Sequence, residues 1–250
     1  MLLIFSDLDG TLLDSNYSFA DALPALRLAD QRGIPIILSS SKTRVEMEAI
    51  RAEMGNVHAF IPENGGAAIL PKTAAVPFGT PYQELTAALH LLAKQTKISV
   101  RGFADMTAAE VAQLTGLGLA QAVLAKQREY DEPFLIAGGQ DPAQLLRGIE
   151  EAGLRWTRGG RFFHITGPND KAMAARAIRD HYARDHAQLT TVALGDAPND
   201  GELLHLADIA VIVKSPYAGY LSHIVPHARS TRLAGPAGWN EAVLEILHAW

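Results

Sequence analysis

Short apolar runs alternate with amphipathic helical stretches over the first seventy residues and again beyond residue 167, and this rhythm restricts the chain to few architectures. Leu3-Ile4-Phe5 reads as a strand. Ser18 to Arg32 has helical apolar spacing, Ile34 to Leu38 is a second buried strand, and Thr43-Arg44-Val45-Glu46 has the capping-box form that opens a helix closing at Gly55. Ala59-Phe60-Ile61 is a third short strand. After it, Pro62-Glu63-Asn64-Gly65-Gly66 reads as a turn leading to a strand at Ala67 to Leu70. A helix from Asp170 to Ala187, strands at Thr190 to Leu194 and Ile209 to Val213, and a last helix from Trp239 to Ala249 continue the pattern. Strands that alternate with helices form a parallel sheet covered on both faces, with ligand sites beyond the carboxyl ends of the strands.

Between residues 81 and 166 the rhythm changes. Helices are expected at Tyr82 to Lys97, Thr107 to Thr115, Leu119 to Gln127 and from Asp141 to Gly153, with strands at Ile98 to Arg101 and Pro133 to Ala137. A hairpin of Leu154 to Arg158 and Arg161 to Ile165 is expected around Gly159-Gly160. The expected fold is therefore α/β: a Rossmann-like parallel sheet core with helices on both faces, built from residues 1–80 and 167–250, plus an inserted α+β cap domain of residues 81–166.

Composition excludes several function classes. The net charge is −5 with no basic stripe, which argues against nucleic acid as a partner. There is no Cys, so disulfides, thiolate metal sites and Cys nucleophiles are excluded. The apolar opening Met1 to Phe5 lacks a basic leader and stops at Asp7, so no secretory or membrane segment is expected and the cytoplasm is the expected location.

The chemistry-bearing residues fall at strand ends. The first strand delivers Asp7 and Asp9, which in an extended run share a face, and two like charges that close repel unless a cation or a shared proton relieves them, a divalent metal being the simplest relief. Gly10 permits a sharp turn and Thr11 adds a hydroxyl. An Asp-Gly turn closing a hairpin would explain the run without chemistry. At the second strand end, Ser39-Ser40-Ser41-Lys42 meets a helix start, where hydroxyls and free N–H groups can hold a phosphate. Lys171 sits at a helix start, where the dipole disfavours a cation unless an anion offsets it. Gly195-Asp196-Ala197-Pro198-Asn199-Asp200 supplies further carboxylates after another strand, although acidic turns of this kind are also ordinary surface loops.

Taken in order, these stretches resemble the haloacid dehalogenase superfamily of aspartate-nucleophile phosphatases over the whole chain. Asp7-Leu8-Asp9-Gly10-Thr11 matches the first motif, Ser40 the second, Lys171 the third, and Gly195-Asp196 with Asn199-Asp200 the fourth. A cap between the second and third motifs is similar to that of the sugar-phosphatase branch. Within that branch Ser40 to Arg44, Pro62 to Gly65 and Gly159 to His164 resemble the mannosyl-3-phosphoglycerate phosphatase family.

The resemblance implies Mg2+ as cofactor, a phosphorylated sugar or glycosyl-glycerate as substrate, and a covalent aspartyl-phosphate. Asp7 would be the nucleophile and Asp9 the acid and base. Ser40, Lys171 and Asn199 would bind phosphate, with Ser39 the alternative to Ser40. The metal would be held by the Asp7 carboxylate, the Asp9 carbonyl and Asp196, with Asp200 close behind. Glu63, Asn64, Arg161 and His164 would meet the leaving group, with Lys42 and Arg44 as further cations. A phosphomutase on the same fold and a non-catalytic sugar-phosphate sensor are the alternatives. Nothing in the sequence marks an oligomer interface.

Overall fold

The computed structural model describes residues 1–159 and 161–250; the Gly159-Gly160 turn therefore falls partly outside the described residues. In chain order, the first part of the core holds β1 (Leu2–Asp7), α1 (Leu23–Gln31), β2 (Ile36–Ser39), α2 (Arg44–Met54) and β3 (Phe60–Ile61), then a small hairpin of β4 (Ala67–Ala68) and β5 (Val76–Pro77). The intervening part holds α3 (Tyr82–Thr96), β6 (Val100–Gly102), α4 (Ala108–Thr115), α5 (Leu119–Ala125), β7 (Asp131–Ile136), α6 (Ala143–Glu151), β8 (Arg155–Gly159) and β9 (Phe162–Thr166). The chain ends with α7 (Lys171–Ala183), β10 (Thr190–Gly195), α8 (Gly201–Leu206), β11 (Ile209–Ile212), α9 (Ala218–Ile224), β12 (Arg229–Ser230) and α10 (Gly235–Ala249).

The main sheet is parallel throughout, in the order β12-β11-β10-β1-β2-β3. The chain fills one side of β1 first and then the other, so the strand order reverses between β1 and β10, where open α/β sheets form their ligand crevice. Side-chain alternation builds both layers. Leu2 and Ile4 of β1 pack with α1, α2 and α10 through Ala25, Met47 and Trp239. Leu3 and Phe5 pack on the opposite face with α7 and α8 through Ala174, Ile178 and Leu204. The buried Trp239 indole donates to Ser6 Oγ at 2.9 Å, which ties the last helix to the first strand. Thr43 caps α2 in a full capping box, and Gly55 ends it in the left-handed conformation.

The inserted cap is an antiparallel sheet in the order β6-β7-β9-β8. Phe134, Phe163 and Ile165 face α3 and α6, packing with Leu85, Leu89, Leu145 and Ile149. Phe162 points the other way and packs with Phe103, Met106 and α4–α5. Both consecutive phenylalanines are thus packed in the cap, one in each layer, as strand alternation requires. His164 and Thr166 share the Phe162 side and look toward the core.

Several expectations need adjustment. The segment after the Glu63 turn meets the main sheet at a single antiparallel bridge, Ile69 to Phe60 of β3; its first two residues pair instead with β5, which carries too little apolar pattern to be read alone. The last helix starts at Gly235, four residues before Trp239, because Pro236 is tolerated in a first turn. The short α9 and β12 carry no period long enough to detect.

Candidate active site

Asp7, the last residue of β1, is buried, and its Oδ1 accepts from Lys171 Nζ at 2.6 Å. Lys171 enters from the first turn of α7, capped by Asp170, and also donates to Asp200 Oδ1 at 2.6 Å. Asp200 in turn accepts from the backbone N–H groups of Asp196 and Ala197 at 3.0 Å, which folds the loop after β10 around its carboxylate. Asp196 accepts from Thr11 Oγ1 at 2.9 Å. Segments distant in sequence therefore meet at one point between β1 and β10.

Close packing enforces the arrangement. Gly10 sits at φ +82°, and a Cβ there would lie 2.7 Å from Asp196 Oδ2. Gly65, at φ +89°, lets the Asn64 loop lie against α7, since a Cβ would be 2.0 Å from the Asp170 carbonyl oxygen.

The electrostatics are those of crowded anions. Burial raises the Asp7 pKa, the Asp200 charge adds to this, and Lys171 pulls against both. Asp196 is pushed up to about 6, chiefly by burial and then by Asp200. Lys171 is held above the ordinary lysine value because its two carboxylates outweigh its burial. One ammonium among three carboxylates leaves a net negative cluster. Oxygen atoms of Asp7, Asp196 and Asp200 lie within 4.8 Å of one another, an all-oxygen donor set that suits a hard divalent cation such as Mg2+. Asp200 already spends both oxygens on Lys171 and the loop amides, so its place is behind the other two.

Asp9 borders this cluster, near enough for its charge to help raise the Asp196 pKa. The strand ends at Asp7, and the chain curls so that Thr11 and Leu13 both donate to the Leu8 carbonyl. The Asp9 side chain is 46% exposed and pairs with Lys42 Nζ at 2.9 Å. Burial acts against the Lys42 charge, but Asp9 and Glu46 outweigh it and raise its pKa.

Ser39 and Ser40 are both buried at the end of β2. Ser40 Oγ accepts from the Lys42 amide at 3.2 Å, whereas Ser39 Oγ has no hydrogen-bond partner among the described residues. Arg44 pairs with Glu48 at 2.9 Å one turn along α2.

The residues expected at the leaving group divide. Asn64, at φ +54°, is a junction: its N–H donates to the Ser40 carbonyl, its Nδ2 donates to Asp131 Oδ2 at 2.7 Å, and its Oδ1 accepts from Asn199 Nδ2 at 3.0 Å. His164 Nδ1 lies 2.8 Å from Asp131 Oδ1. Burial alone would raise the Asp131 pKa, but His164 and Arg128 lower it, so this carboxylate is ionised and Nδ1 carries the donated hydrogen. A continuous relay His164–Asp131–Asn64–Asn199 thus joins the cap strands to the Asp200 loop. Glu63 does not face the cleft as expected. Its carboxylate is wholly buried and accepts from the amides of Glu129 and Tyr130 between 2.7 and 3.1 Å, pinning the segment before β7 to the core. Burial pushes its pKa up to about 7. Arg161 is exposed just before β9, and no ion pair is recorded for it among the described residues.

Sequence reading missed Asp131 and Arg128, which donates to the Ser41 carbonyl at 2.8 Å. Asn64 and Ser41, which they bond in the core, are 67 and 87 positions away, and only their own i,i+3 pairing and the Asp-Glu pair before Pro133 hinted at them. It also missed Arg155 and Thr157, which with Asn64, Thr166, Lys171 and Asn199 line a cleft of about 360 Å³ between cap and core.

Comparison with known proteins agrees with this geometry. The haloacid dehalogenase-like hydrolase family matches residues 4–101. A glucosyl-3-phosphoglycerate/mannosyl-3-phosphoglycerate phosphatase of Methanococcoides burtonii is 38% identical over 98% of this chain and 97% of its own. A protein of the same description from Persephonella marina is 34% identical over 99% and 97%. The crystal structure of a Thermoplasma acidophilum protein covers 100% of this chain and 99% of its own with a TM-score of 0.75 at 16% identity, a likeness of fold alone. Among the described residues no single helix is long and apolar enough to cross a membrane. With an acidic cluster at the switch point and full-length relatives of one description, the chain belongs to the haloacid dehalogenase superfamily and is a phosphatase, a phosphoric monoester hydrolase.

Proposed function

We propose that this phosphatase hydrolyses mannosyl-3-phosphoglycerate, or its glucosyl counterpart, to the glycosylglycerate and phosphate through an aspartyl-phosphate at Asp7. The reading is carried by Lys171, which joins the carboxylates of Asp7 and Asp200 beneath a cap sheet that turns His164 toward the core. The names of the full-length relatives support the substrate.

In this account residues 81–166 form the cap and residues 1–80 and 167–250 the core. Asp7 attacks phosphorus as the bond to the leaving oxygen breaks, and Asp9 gives that oxygen a proton. Asp9 then takes a proton from water, which attacks phosphorus and releases Asp7. Lys171, Ser40 and Asn199 hold the phosphoryl oxygens, since a loose transition state gains mainly from positioning and fixed charge. Mg2+, held by Asp7 and Asp196 with Asp200 behind them and the Asp9 carbonyl as a further ligand, would offset the repulsion between carboxylates and a dianionic ester. His164, oriented by Asp131, meets the sugar or the acid, with Arg161 as a second candidate for the same contact.

A panel of glycosyl-3-phosphoglycerates, simple sugar phosphates and nucleotides, assayed for phosphate release with Mg2+ and with chelator, tests the proposal. A preference for the glycosyl-phosphoglycerates that vanishes with chelator is expected. Preference for nucleotides would overturn the substrate, and transfer of phosphate to another sugar hydroxyl without release would make the enzyme a mutase.

A further inference from the structure

We infer that Lys42 is a specificity-determining residue that binds the carboxylate of the leaving group, exchanging its ion pair with Asp9 for one with the substrate. The inference rests on the phosphoglycerate reading above. In such an ester the carboxylate carbon is separated from the leaving oxygen by two carbons, so with C–C bonds of about 1.5 Å a carboxylate oxygen lies within roughly 5 Å of it. The group that protonates the leaving oxygen must be within hydrogen-bond reach of that oxygen. A cation that reads the carboxylate therefore belongs within a few ångströms of Asp9, and Lys42 Nζ lies 2.9 Å from Asp9 Oδ1.

The other candidate cations are worse placed. Arg44 is committed to Glu48, and Arg161 is exposed at the hairpin tip. Lys171 is enclosed between Asp7 and Asp200. The Lys42 side chain, by contrast, is 11% exposed and its partner Asp9 46%, so the charge forms the floor of a solvent-open acid.

Its position is rigid. The Lys42 amide donates to Ser40 Oγ, its carbonyl accepts from the Glu63 amide at 3.0 Å, and the next residue caps α2. Nζ also lies 4.5 Å from the centroid of the Tyr17 ring, whose face favours a cation. Glu46, the other nearby carboxylate, accepts from the Thr43 amide and hydroxyl through Oε2 alone, and its charge joins that of Asp9 in raising the Lys42 pKa. Tyr17, Lys42, Glu46, Glu53, Gln121 and Leu124 are among the residues bordering a cavity of about 160 Å³ where α5 of the cap approaches α2, so Lys42 is the one cation, among the described residues, in a lining that also holds two carboxylates.

The test compares wild type, Lys42→Gln and Lys42→Arg on a glycosyl-3-phosphoglycerate and on the matching glycosyl-glycerol phosphate, which lacks the carboxylate. Wild type is expected to prefer the acid, and Lys42→Gln to lose that preference by about tenfold or more through KM, the range of a charge-assisted hydrogen bond. Lys42→Arg should recover part of it, and the neutral ester should suffer far less. An equal fall on both esters would show that Lys42 only positions Asp9, and a preference that survives in Lys42→Gln would likewise overturn the inference. Wild type that favours neither glycosyl ester over unrelated phosphates would instead sink the underlying substrate reading, and this one with it.

Discussion

Replacing Glu63 by glutamine should make the protein's stability less sensitive to pH, by an amount the structure sets. Glu63 is buried, and its pKa stands at about 7 against an ordinary value of 4.5. A raised carboxyl pKa means that the folded state holds more protons than the unfolded state between these values, so stability is lost as pH rises through that window. At 1.36 kcal/mol per unit the full effect is about 3 kcal/mol, of which roughly 2.5 falls between pH 5 and pH 8. The amide of the Glu63→Gln variant cannot ionise and keeps one oxygen for the Tyr130 N–H, at the cost of a poorer match to Glu129. The variant should start less stable at pH 5 and gain on wild type as pH rises. For a chain of this length that gain corresponds to roughly 5–10 °C in Tm. Paired thermal melts at pH 5 and pH 8 read it directly. A wild-type-to-variant difference that stays constant across this range would refute the assignment of the raised pKa to Glu63.

Other outcomes follow from the same geometry. Gly10→Ala should cost about 1–2 kcal/mol for the left-handed backbone and push Asp196 aside, so the Mg2+ concentration giving half activity should rise. Lys171→Met should abolish turnover and destabilise the fold by about 3–5 kcal/mol at neutral pH in denaturant melts, because Asp7 and Asp200 are left buried without their cation. Asp131→Asn should raise KM for a glycosyl-phosphoglycerate far more than it lowers kcat for an aryl phosphate. Combining it with His164→Ala should add little, since both changes break one relay.

The parts of the site that the sequence displayed are those fixed by local geometry. A strand end places Asp7, a capped helix start places Lys171, and an acidic loop after a strand places Asp196 and Asp200. Each is set by residues within a few positions. Alternation likewise exposed the parallel sheet. The Asp9–Lys42 pair was not legible because the extended backbone stops two residues before Asp9. Glu63 looked like a ligand of the cleft because nothing near it in sequence reveals the amides of Glu129 and Tyr130, which the cap brings to it. Asp131 stayed hidden for the same reason: a buried carboxylate is explained only by its partners, and Asn64 and His164 come from other segments. The substrate-reading half of the site is thus a product of tertiary contact between domains.

The most direct measurement is peptide mapping of protein quenched in acid during turnover with a glycosyl-3-phosphoglycerate. The account predicts a phosphoryl group on the peptide that carries Asp7, absent in Asp7→Asn, which should also be inactive. Sustained phosphate release with that peptide unmodified, or an Asp7→Asn variant that turns over at the wild-type rate, would contradict it.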